Sequence, residues 1–389
     1  MIEPTSYLAG PEMDRFRSRA LWIGIVALGL SALAGLRSPA EFMHSYLLAF
    51  LFWTGLALGC LAIAMLHRLT GGNWGMIIRR VLESGSRTLP LMALLFVPIY
   101  FGRHWIYGWT HPLELPRQQL AYLNVRFFLA RAALYFLIWV GMAHWLSKWS
   151  REQDRTGDPQ LLRRMQLLSG PGLVVYALTT TFAAVDWMMS LEPRWYSTIF
   201  GLLVVGGQLL SALAFAIVMI ALLSTYGPLG RVLEPWHVHD LGKLLLAFVM
   251  VWAYLAFSQL LIIWSGNLPE EIPWYLNRLE GGWRWVGVAL ILFHFALPFS
   301  LLLSRDLKRR APALALVAIL VLVMRVVDLF WLTAPEFSPG QFRIDWMDIA
   351  VPIGVGGIWL AFFARELKTR PLLPVRDPEL AAALEEEHG

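Results

Sequence analysis

Mostly apolar stretches, nearly all of 20 residues or more, recur along the chain at about 20–36, 44–66, 86–107, 122–147, 167–190, 196–224, 239–264, 281–304, 311–333 and 346–367. At about 1.5 Å rise per residue, such a stretch crosses roughly 30 Å of hydrocarbon. Lipid offers nothing to an open backbone N–H or C=O, so these segments are expected to be helices, ten of them, in an all-α polytopic membrane protein. Composition agrees: of 389 residues 58% are hydrophobic and 15% charged, where a soluble domain carries about 25% charge. Many of the 19 Trp lie near the ends of apolar runs, as an interfacial aromatic belt requires.

Loop charge gives the direction of each helix. The N-terminus, the loops near 67–87, 148–166, 225–243 and 305–310, and the C-terminal tail hold 22 of the 32 Lys and Arg, and the opposite loops hold 7. Basic residues remain on the cytoplasmic side, so both termini are expected there. The net charge of +5 is accounted for by these loops and makes no case for nucleic acid. The run 20–36 also resembles a secretory signal, with Ala32-x-Ala34-Gly35 as a cleavage site, but nine further spans argue for a retained first helix. The tail after Arg370, with Asp377-Pro378 as a helix start and an acidic Glu385-Glu386-Glu387 end, reads as solvated.

The single cysteine, Cys60, excludes an intrachain disulfide, a Cys-ligated iron–sulfur cluster and a Cys-x-x-Cys-His haem attachment in this chain, and reads as a packing residue. Gly71-Gly72 and Gly206-Gly207 lie in a turn and in an apolar helix, without the strand that gives a Gly-rich loop phosphate-binding meaning.

The stretch Asp186 to Thr198 joins two apolar segments with almost no loop. Asp186 must therefore lie within the apolar layer or at its edge, where an ionisable group costs about 2.5–3.5 kcal/mol on insertion scales and marks a functional site by default. Pro193 stops the incoming helix, and Trp195 and Tyr196 sit at the boundary. Val327-Asp328 with Pro335 repeats Val185-Asp186 with Pro193, at the same Asp-to-Pro spacing of seven. Helices five and nine would then close two four-helix units, helices 2–5 and 6–9, with helices 1 and 10 outside. The corresponding domain boundaries are 1–43, 44–195, 196–340 and 341–389.

Other ionisable residues fall inside spans: Arg126 and Arg131 on helix four, Arg325 one turn from Asp328, and Asp345 and Asp348 opening helix ten. Arg325 and Asp328, at i and i+3, can simply pair. Deeper in the layer lie His144, His294, Tyr176, Lys243 at the inner edge, Thr179-Thr180-Thr181 and Gln259. A haem b would need two histidines at matched depth, and His144 and His294 differ by about two turns, roughly 10 Å. Neither haem b nor a metal site is expected.

Three stretches carry a family resemblance: Asp186-Trp187-x-Met189-Ser190-Leu191-Glu192-Pro193-x-Trp195-Tyr196-Ser197-Thr198, then His239-Asp240-Leu241-Gly242-Lys243-Leu244, then Trp264-x-Gly266-Asn267-Leu268-Pro269-Glu270-Glu271-Ile272. Together with the length and helix count, they resemble the second NrfD-like membrane subunit, the ActF-type chain, of bacterial alternative complex III. That resemblance implies two four-helix bundles flanked by two outer helices, in a bacterial inner membrane. It implies partners too: a paralogous NrfD-like membrane subunit, an iron–sulfur subunit and c-type haem subunits, acting with membrane lipids and quinol. Haem c and iron–sulfur clusters would reside in those partners, with no cofactor in this chain. The aromatic, proline-punctuated outer loops 103–121 and 265–284 could dock such partners or simply anchor at the interface.

The leading expectation is thus a non-catalytic subunit of a quinol:electron-acceptor oxidoreductase that contributes scaffold and a proton route. Burial disfavours a charged carboxylate and a nearby guanidinium favours it, so Asp–Arg pairs at this depth suit proton exchange. The route would run through Asp186 and Asp328, adjusted by Arg131 and Arg325, with His294 as the nearest central group and His144 as a further candidate. A stand-alone ion or solute transporter using the same charges, and a quinol-binding redox subunit, are the alternatives.

Overall fold

The computed structural model describes residues 10–113, 115–226, 228–231 and 233–373. Every long apolar stretch is helical, and there is no strand among the described residues. The opening helices are α1 (Glu12–Gly35), α2 (Pro39–Thr70) and a broken span made of α3 (Asn73–Ser86), α4 (Leu89–Leu95) and α5 (Val97–Ile106). The short α6 (Arg117–Tyr122) precedes α7 (Val125–Thr156), α8 (Pro159–Trp187), α9 (Phe200–Tyr226) and α10 (Pro235–Gly266). After α11 (Ile272–Leu279) comes an interrupted span, α12 (Trp283–Ala289), a π-helical turn (Leu290–Ala296) and α13 (Leu297–Leu303). The chain then passes through α14 (Arg305–Lys308), α15 (Ala311–Thr333) and α16 (Met347–Leu367). Among the described residues, nine helices are long and apolar enough to cross a membrane, or ten with the bent α3–α5 pair taken as one span.

Local chemistry sets the boundaries. Asn124 caps α7 by accepting from the Phe127 amide, and Asp158 caps α8 by accepting from the Gln160 amide, with Pro159 in the first turn. Gly157 ends α7 in the left-handed region at φ 71°, and Asn267 ends α10 at φ 48°. The third span bends by 56° between Leu95 and Val97, where Pro98 withholds an N–H from the helical ladder. Pro298 follows the π-helical turn in the same way.

Two four-helix rings result. In the first, α2, α3–α5, α7 and α8 pack in cyclic order; in the second, α9, α10, α12–α13 and α15 do the same. The rings meet along α2 and α9, whose backbones touch: a Cβ on Gly59 would sit 2.1 Å from the Gln208 carbonyl oxygen. Helices α1 and α16 form an outer pair against α2. They approach through glycine, since a Cβ on Gly357 would sit 2.4 Å from the Ala20 carbonyl oxygen. The run 20–36 is thus a packed element of the fold.

The expected loop 67–87 is instead mostly helix α3, buried along nearly its whole length. Its charges belong to an internal network: Glu83 accepts from Arg68 Nη2 at 3.1 Å, Arg80 Nη1 at 2.8 Å, Ser150 Oγ at 2.7 Å and Arg370 Nη1 at 3.1 Å. Arg80 also pairs with Asp154, and Arg370 donates to Ser147. Lys368 pairs with Asp14, so the start of α1 and the end of α16 lie together. The tail features at Asp377-Pro378 and Glu385-Glu386-Glu387 lie outside the described residues.

Candidate functional site

Asp186 stands one residue before the end of α8 and is fully buried. Arg131 of α7 holds its carboxylate with Nε at 2.9 and 3.2 Å and Nη2 at 2.8 Å, and the Tyr135 hydroxyl donates to it at 2.8 Å. Arg131 Nη1 donates to the Tyr122 carbonyl at 3.1 Å, and its guanidinium lies 3.9 Å from the Tyr122 ring centroid. The i,i+4 spacing of Arg131 and Tyr135 places both on one face of α7, aimed at α8. Removing charges from water is tolerable in this form because nearly every carboxylate lone pair meets a donor.

Asp328 is the counterpart in the second ring, also buried and near the C-terminal end of α15. It pairs with Arg325 one turn earlier and accepts from Trp252 Nε1 of α10 at 3.1 Å. The Arg325 guanidinium lies flat against α9, where a Cβ on Gly207 would come within 2.1 Å of its central carbon. Gly207 is therefore a seat for a buried guanidinium. His294, on the π-helical turn, is fully buried, with its ring 4.2 Å from that of Trp252. Neither of its ring nitrogens has a hydrogen-bond partner among the described residues.

Between the rings lies a cavity of about 20 Å³, lined by Thr54 and Gly55 of α2, Thr180 and Trp187 of α8, Gln208 and Ser211 of α9, and Arg325 of α15. That volume holds about one water. Thr54 Oγ1 and Trp187 Nε1 are buried there without a partner among the described residues. Next to it, the Tyr176 hydroxyl donates to Gln208 Oε1 at 2.8 Å, tying α8 to α9. The cavity therefore has residues of both rings on its walls, with Arg325 reaching it from the Asp328 side and Trp187 from the Asp186 side.

The segments carrying Tyr107, Trp109 and Trp274 pack onto the 186–198 stretch. Trp109 Nε1 donates to Ser190 Oγ at 3.3 Å, and the Tyr107 hydroxyl donates to the Trp187 carbonyl at 3.3 Å. Trp195 stacks on Trp274 of α11, with centroids 4.4 Å apart. Arg278 pins α11 to the end of α15: it donates to the Leu332 carbonyl at 2.8 Å and the Trp331 carbonyl at 3.2 Å, and pairs with Glu336 at 2.9 Å. Burial pulls its guanidinium down to about 10, which leaves it charged near neutral pH.

Of the residues singled out in sequence, Asp186 and Arg131 come together, as do Asp328, Arg325 and His294. His144 does not join either group: it is exposed on α7, beside Trp145. Arg126 is exposed in the first turn of α7, Lys243 pairs with Asp240 at an exposed edge, and Asp348 accepts from Ser45 Oγ at 2.6 Å. Gln259 is buried, and Cys60 is buried against Gly85. Tyr135, Trp252, Thr54 and Gly207 were not anticipated as parts of the site; only their spacing to an ionisable partner in three dimensions reveals them. Comparison of the chain with protein-family models, and with curated proteins, gives no match.

Proposed function

We propose that this chain is a cofactor-free integral membrane subunit of a quinol:electron-acceptor oxidoreductase of the alternative complex III kind, and that it contributes part of a proton route. The resemblance at 186–198, 239–244 and 264–272 supports the first statement. One observation carries the second: each ring buries an Asp–Arg pair near the same end, and Arg325 of the second pair reaches a small, mostly apolar cavity between the rings that also exposes Thr54, Thr180, Gln208 and Ser211. Ionisable groups in a membrane interior are retained where charge or protons move. The cavity's size favours protons over a solute, because about 20 Å³ admits about one water and nothing larger.

Electron carriers would then belong to partner subunits, and the inner membrane of a bacterium would be the location. Purification of the native protein in mild detergent, with a visible spectrum and identification of the accompanying chains, tests this reading. Copurifying haem c and iron–sulfur polypeptides are expected. A chain that purifies alone and moves a solute in liposomes would be a transporter, and the reading would be wrong.

A further inference from the structure

A groove of about 630 Å³ runs along the side of the molecule between α1, α16 and the end of α9. Its walls are apolar, including Phe16, Ile23, Leu223, Ile353 and Leu360. From Glu12 to Ile23 it follows α1 for about 17 Å, close to the roughly 15 Å hydrocarbon depth of one leaflet. The volume lies within the range of about 300–1,000 Å³ for specific ligand pockets.

Its charged end is selective. Arg15 and Arg19 line it one helical turn apart, both exposed, and at i,i+4 they project from one face. Of the nearby carboxylates, Asp14 pairs with Lys368, while the exposed Glu12 also lines the groove, with its Oε2 near Gly10, and leaves the two arginines in excess there. Neither Arg15 nor Arg19 pairs with a carboxylate among the described residues. Two guanidinium forks above an apolar slot one leaflet deep match a phosphodiester headgroup carrying acyl chains. We propose that this groove is a binding site for an anionic phospholipid, with the acyl chains against α1 and α16 and the phosphate held by Arg15 and Arg19. The site holds whether or not the chain belongs to a quinol-oxidising complex.

Native mass spectrometry of the detergent-purified protein, titrated with phosphatidylglycerol and phosphatidylcholine of identical acyl chains, tests it. Phosphatidylglycerol is expected to bind about tenfold more tightly, a difference of about 1.4 kcal/mol. The Arg15→Gln/Arg19→Gln double variant should lose that preference, and Arg15→Lys/Arg19→Lys should keep most of it. Ile23→Trp, which fills the slot, should reduce binding of both lipids. Equal binding of the two lipids by the unmodified protein, or an undiminished preference in the double Gln variant, would overturn the proposal. Should the double Gln variant not fold, undiminished binding by Ile23→Trp would overturn it as well.

Discussion

Arg131 grips Asp186 from the neighbouring helix with two different guanidinium nitrogens, Nε and Nη2, while Asp328 is served by Arg325 from its own helix. The same acid therefore recurs in the two rings with its counter-charge delivered differently. In the first ring the pair also fastens α7 to α8.

Cutting that fastening has a definite cost. Removing one partner of a buried ion pair costs about 3–5 kcal/mol, because the other charge remains buried alone. Arg131→Gln should lower the melting temperature in detergent more than the Arg131→Gln/Asp186→Asn double variant does. Equal melting of the single variant and the unmodified protein would show that the pair does not hold the helices together.

Glu83 is the carboxylate on which Arg68, Arg80 and Arg370 converge. Glu83→Gln leaves three guanidinium groups around a neutral amide and is expected to destabilise by about 3–5 kcal/mol. Glu366→Gln, where one Arg87 contact at 2.7 Å is lost near a less enclosed edge, should cost less. Thermal melts of the two variants side by side check the ranking.

Trp195 joins the 186–198 stretch to α11 by stacking on Trp274. Truncating a buried Trp costs about 3–5 kcal/mol, and the stack itself about 0.5–1.5 kcal/mol of that order. Trp195→Ala should free the 265–284 segment, seen as faster cleavage there by a protease added to the detergent-purified protein. Unchanged cleavage would mean that Arg278 alone holds the segment.

Gly357 lets α16 meet α1 at backbone distance, with Gly24 Cα only 2.6 Å from where its Cβ would be. Gly357→Leu is expected to push α1 away, so that a disulfide engineered between these helices in a Cys60→Ser background no longer forms.

Helix content and the two rings were legible because a span long enough for lipid is hard to build otherwise, and because the Asp-to-Pro spacing repeats. The α3 segment was not. Arg79, Arg80, Glu83 and Arg87 look like loop charges in sequence, and only the fold brings Arg68 and Arg370 to Glu83, Asp154 to Arg80 and Glu366 to Arg87. For the same reason, part of the basic residues counted toward orientation are internal structural charges. Asp186, Asp328 and Arg131 stood out by depth alone, whereas His144 did not join them because depth fixes no helix face. Trp252 and Tyr135 read as belt or core aromatics, and their N–H and O–H became site donors only through neighbouring helices.

In the proposed function, Asp186 and Asp328 carry protons. Asn retains the shape of Asp and part of its hydrogen bonding but cannot ionise, so Asp186→Asn and Asp328→Asn separate relay from scaffold. The measurement is the number of protons translocated per electron by the native complex in proteoliposomes, for each variant that assembles. The account predicts that quinol oxidation persists, at full or reduced rate, while proton translocation is lost. Wild-type proton-to-electron ratios in both assembled variants would contradict it and leave the two carboxylates with a structural role.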